Sequence, residues 1–100
     1  MSWVKEAIVQ LNKGQEVSVR PSGGSMRGRI ESGQRVTLKP ALYDEVEAED
    51  VIFIRWKGNY LLHLLLEKKD QQLLIGNNLG KINGWIPAGA LIAKVIAIEA

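Results

Sequence analysis

Apolar residues recur at helical spacing once in this chain, at Trp3, Val4, Ala7, Ile8 and Leu11. That period predicts an amphipathic helix over residues 2–13, with Ser2 as N-cap and Gly14 as the stop. Its stripe, led by Trp3, is expected to pack on a sheet. After Gly14 the pattern shortens to strand-sized runs, at 16–20 (EVSVR), 34–40 (QRVTLKP), 51–56 (VIFIRW), 60–68 (YLLHLLLEK), 72–76 (QLLIG) and 90–100 (ALIAKVIAIEA). The alanines of the last run suit a helix, but its Ile and Val content favours a strand. Turn residues punctuate the runs: a Gly-rich turn at 21–25, Ser32-Gly33, KGN at 57–59 and KDQ at 69–71. The acidic stretch 43–50 reads as a solvated loop, and the Asn- and Gly-dense stretch 77–85 as another. Many short strands and one helix predict a single, mainly β domain over 1–100. Its expected form is a compact, mostly antiparallel sheet or partly open barrel with one N-terminal helix.

Composition narrows the class. A chain of 100 residues with 46% hydrophobic and 24% charged positions has the make-up of an ordinary globular domain, able to bury one modest core. It has no cysteine, which excludes disulfides, thiolate metal sites and a cysteine nucleophile. The net charge is only +2, and bases and acids interleave without a basic stripe, so nucleic acid is a poor partner for it. No apolar run approaches the ~20 residues of a membrane-spanning helix, and the N-terminus lacks the apolar segment of a signal peptide. A soluble, cytoplasmic protein without a membrane anchor is expected.

Two residues stand out chemically. Ser25 follows Gly23 and Gly24 in "VRPSGGSMRGRIESGQRV" (19–36), an approach without side chains that lets backbone N–H groups come close to a substrate. A serine in such a composition also serves as an ordinary turn residue. The only histidine, His63, falls in the middle of a strand, flanked on its own face by Leu61 and Leu65 if the strand alternates. A dry setting of that kind keeps an imidazole neutral and able to accept a proton near pH 7. The competing reading is a core histidine with one hydrogen bond to backbone. No metal site is expected, because there is one His, no Cys and no carboxylate pair at ligand spacing. "GGSMRGR" lacks the lysine and following helix of a phosphate loop, and no cofactor is implied.

The order of these pieces resembles a known superfamily, that of the signal peptidases and LexA-type peptidases. "GGSMRGRIESGQRVTL" is similar to its Gly-x-Ser-Met segment. "VEAEDVIFIRWKGNYLLHLLLE" is similar to its next strand and hairpin, whose second strand carries the general base. "LLIGNNLGKINGWIPAGALIAKVIAI" is similar to its later Gly-Asp-Asn segment and final strand. The three blocks cover residues 16–99 in order. The resemblance implies a peptidase-like β core with Ser25 as nucleophile. It puts His63 at the base position, which holds lysine in the bacterial signal peptidases and LexA-type proteins and histidine in the archaeal and endoplasmic-reticulum type. It also implies an oxyanion site at the Ser25 N–H and Ser22 hydroxyl, with substrate passing Gly23, Gly24 and Met26. The chain departs from the pattern at Gly28, where proline is usual, at Gly33-Gln34 and Glu49-Asp50 for Gly-Asp, and at Gly76-Asn77-Asn78 for Gly-Asp-Asn. Asn77 or Asn83 would then stand in for the aspartate that orients the histidine.

Three readings follow. The first is a serine endopeptidase acting on a separate polypeptide through a Ser25–His63 dyad. The second is an inactive peptide-binding or assembly module of the same fold, and the third is a small nucleic-acid-binding barrel. A homodimer through the final strand "LIAKVIAIEA" fits its apolar content, as does a place in the core.

Overall fold

Alternating strands and one amphipathic helix fold here around a single sheet. The computed structural model describes residues 3–21, 30–31, 33–78 and 80–99. The helix α1 (Trp3–Asn12) turns Ala7 and Leu11 inward. It ends where Gly14 takes φ +77° and its N–H reaches the Leu11 carbonyl at 2.9 Å, the left-handed stop that glycine supplies at low steric cost. Ser2, the expected N-cap, lies outside the described residues.

The strands are β1 (Val17–Val19), β2 (Arg35–Pro40), β3 (Val51–Trp56), β4 (Asn59–Lys69), β5 (Gln72–Gly76), β6 (Ile82–Pro87) and β7 (Leu91–Glu99). They form one antiparallel sheet in the order β1-β2-β7-β3-β4-β5-β6, open between its edges β1 and β6. The expected mainly β, antiparallel architecture with one helix is therefore present. β7 is an inner strand. Its residues pair with β2 along one side (Arg35↔Glu99 to Pro40↔Ala93) and with β3 along the other (Ile52↔Lys94 to Ile54↔Leu91). The segment considered for a homodimer thus joins the sheet's two parts within the chain.

Period-two alternation sends apolar residues to both faces. On the helix side, Val51, Phe53, Leu62 and Leu64 pack with Ala7, Leu11, Val19 and Ile30. There Trp3 and Tyr60 flank the Phe53 ring at centroid distances of 5.5 and 6.0 Å. On the other face, Ile52, Ile54, Leu65, Leu73 and Ile75 are fully buried. Each such side chain contributes about 1.5–3 kcal/mol on removal from water.

A strap closes that second cluster. The acidic stretch expected to be a solvated loop turns its acids Asp44, Glu45, Glu47 and Glu49 outward, yet Val46 is only 2% exposed and Ala41 is buried beside it. Between them, Tyr43–Glu45 forms a short 3-10 turn. The Glu45 carboxylate accepts from the Leu42 N–H at 2.8 Å. Lys68 Nζ donates to the Tyr43 carbonyl at 3.0 Å, and Lys94 Nζ to that of Glu45 at 2.8 Å. The 77–85 loop also proves shorter than expected, because its second half is the start of edge strand β6. No helix among the described residues is long and apolar enough to cross a membrane.

Candidate active site

The β3–β4 hairpin places His63. Lys57 and Gly58 take φ +52° and +80°, the left-handed pair of a two-residue turn that matches strand twist. That turn pairs Trp56 with Asn59 and, four residues further along β3, Ile52 with His63. Since Ile52, Leu61 and Leu65 belong to the second cluster, His63 faces it too, as the alternation predicted, and is 6% exposed.

Two groups lie against the imidazole. Nδ1 lies 3.2 Å from the carbonyl oxygen of Gly76 on β5. A carbonyl only accepts, so the neutral ring carries its proton on Nδ1 and leaves the lone pair on Nε2. On another side stands the Trp56 indole, at 6.2 Å between centroids and 87° between planes. Burial pulls the pKa of His63 below its ordinary 6.5, against a smaller upward effect of the Gly76 bond. The ring is therefore a neutral acceptor at pH 7.

Gly76 can take this position because it has no side chain. A Cβ there would meet the Lys81 carbonyl oxygen at 2.5 Å. The following loop folds back that closely because the Asn77 N–H donates to the Lys81 carbonyl at 2.9 Å and Lys81 N–H to Asn77 Oδ1 at 3.0 Å. Asn77, one candidate to orient the histidine, thus uses its side-chain oxygen to close this loop. Asn83, the other, lies on β6 with a buried Oδ1 that has no hydrogen-bond partner among the described residues. The described hydrogen bond to the ring comes from the Gly76 main chain. A main-chain acceptor leaves no mark in a sequence, so this group could not be read there. Trp56 could have been, from the parity of a hairpin closed by Lys-Gly.

Ser22, Gly23, Gly24, Ser25 and Met26 lie outside the described residues. The two ends of their stretch are held together: Gly33 N–H donates to the Pro21 carbonyl at 3.2 Å, and the Arg20 guanidinium to the Gly33 carbonyl at 2.9 Å. The flanking Val19 and Ile30 belong to the helix-side cluster, whereas His63 faces the other. His63 thus faces the second cluster, and the position of Ser25 relative to it falls outside the described residues. Among them there is no group of three side chains able to hold a metal ion.

No protein-family model matches this chain, and no curated protein matches it either.

Proposed function

We propose that the chain is a serine peptidase-like domain of the signal peptidase and LexA type, with Ser25 as nucleophile and His63 as general base. The observation that carries this reading is the 3.2 Å contact of His63 Nδ1 with the Gly76 carbonyl, which selects the Nδ1–H tautomer. Held by Gly76 at Nδ1, the ring offers Nε2 as the proton acceptor, the role a serine hydroxyl needs filled. Ser25 Oγ would lose its proton to Nε2 while attacking a peptide carbonyl carbon. The Ser25 N–H and Ser22 hydroxyl would hold the oxyanion, and the imidazolium would return the proton to the leaving amine as the C–N bond breaks. Water would then release the acyl group by the same route. The substrate would be an extended polypeptide segment.

The missing aspartate matters less in this arrangement. In serine proteases, replacing the orienting Asp by Asn costs about 10⁴ in kcat because it favours the wrong tautomer. The Gly76 carbonyl cannot donate, so it enforces the productive one. It lends no negative charge, and the imidazolium is correspondingly less supported.

The second reading, a peptide-binding module without turnover, is favoured by the burial of His63 and its backbone-only partner, which also suit a core histidine. A fluorophosphonate probe separates the two. A peptidase site gives an adduct at Ser25 by mass spectrometry, abolished in Ser25→Ala and strongly slowed in His63→Gln. If the wild type stays unlabelled, the nucleophile assignment falls and the binding module becomes the reading to pursue.

A further inference from the structure

Trp56 occupies a position that neither the sequence motifs nor the proton-transfer scheme uses. It ends β3 immediately before the Lys57-Gly58 turn, half-buried against the second cluster, with its ring perpendicular to that of His63. A centroid separation of 6.2 Å lies within the range in which perpendicular aromatic pairs attract. On the solvent side, the left-handed turn at Lys57 brings its ammonium to 4.7 Å from the centre of the Trp56 ring. A cation over an indole face is favourable and restrains the ring it covers. The Lys57 ammonium, the Trp56 indole and the His63 imidazole thus form a continuous stack from surface to core, with the Gly76 carbonyl as the stop at its inner end.

A single hydrogen bond to Nδ1 leaves an imidazole free to swing about that bond and to exchange it for the other nitrogen by a ring flip. A second contact, from a large ring at right angles, removes that freedom. We propose that Trp56 is a positioning residue for His63, clamping the imidazole against the Gly76 carbonyl so that Nδ1 stays the donor and Nε2 the acceptor, with Lys57 holding the indole in place. This rests on the reading of His63 as a base. The clamp itself concerns only the ring and is measurable without any activity.

The test exploits the chain's single histidine. Long-range ¹⁵N–¹H spectra of the intact protein at pH 7.5 read the tautomer. Carbethoxylation of histidine by diethylpyrocarbonate, followed by mass and reversed by hydroxylamine, reads access to the ring. Wild type is expected to show the Nδ1–H tautomer alone and slow modification. Trp56→Leu should show mixed tautomers and a rise of about tenfold in modification rate, the size of a modest local opening. Trp56→Phe, which keeps a perpendicular ring, should restore both. A purely structural tryptophan would lower Tm in Trp56→Leu and leave the tautomer alone, and that result overturns the proposal. Where Trp56→Leu does not fold, Lys57→Met carries the test: faster modification of His63 supports the clamp, and an unchanged rate overturns it. Absence of a fluorophosphonate adduct at Ser25 removes the base role instead, a separate outcome from loss of the clamp.

Discussion

His63 on β4 and Gly76 on β5 are joined by one bond, Nδ1 to the carbonyl oxygen at 3.2 Å, and the glycine is pressed from behind by the Lys81 carbonyl. Gly76→Ala therefore acts on the histidine through the loop. The new Cβ would lie 2.5 Å from Lys81 O and 2.9 Å from Leu66 Cδ1. The leucine tip can move, but the carbonyl is backbone, so the 77–81 loop must shift. Overpacking of this kind costs about 1–3 kcal/mol. Urea unfolding should show that loss, and the imidazole ¹⁵N spectrum a weakened Nδ1–H bond. Unchanged stability would mean that the loop yields freely.

The lowered pKa of His63 gives the fold an acid-side weakness. Between the folded-state pKa and 6.5 the unfolded chain binds a proton that the native state refuses, so stability rises with pH across that window. The contribution is complete above about 6.5, the unfolded value. It is lost as pH falls through the folded-state pKa. Chemical denaturation of wild type and His63→Gln at several pH values between 4 and 8 measures it. The wild type should lose more stability than the variant on acidification, and parallel curves would contradict the burial effect.

Lys68 and Lys94 hold the strap over the second cluster through the Tyr43 and Glu45 carbonyls. Hydrogen bonds from charged donors are worth about 1.5–3 kcal/mol when buried. Both lysines are only half-buried, so about 1 kcal/mol each is expected for Lys68→Met and Lys94→Met. The amides of Leu42 and Glu45 should exchange faster in both variants, with little change at β1 or α1. Uniform loss of protection across the sheet would show that the strap does not open alone.

Phe53 is fully buried between Trp3 and Tyr60 and ties the helix to the sheet. Phe53→Leu should cost about 1–1.5 kcal/mol and Phe53→Ala about 3–5 kcal/mol, the larger figure reflecting an unfilled cavity. Trp3 fluorescence should shift to the red in the alanine variant while the β4–β5 amides keep their relative protection.

What could be read beforehand followed from periodicity. The α1 stripe and the inward face of His63 come from spacing, and the α1 stop from the glycine at position 14. β6 was hidden because Ile82–Pro87 holds an asparagine, a glycine and a proline, and an edge strand tolerates what an inner strand would not. The acids Asp44, Glu45, Glu47 and Glu49 of the 43–50 loop are exposed as their pattern predicts, and what that pattern hides is the single buried anchor, Val46, that fixes the segment. At the candidate site the sequence displayed the imidazole and its leucine neighbours. The Gly76 carbonyl depends on a strand register and a loop closure, which no residue type announces.

The place of β7 has a consequence for how the molecule comes into being. Helix α1 with β1 and β2 makes one part, β3 to β6 another, and the strand that joins them is synthesised after all the other strands of the sheet. On the ribosome, β2 and β3 must each wait with an unpaired edge until residues 91–99 have emerged. Long-range pairing of this kind folds slowly, because the chain must be ordered before its contacts are gained. Shortening the chain from β7 would leave two partial sheets with no strand between them, each with a raw edge open to aggregation.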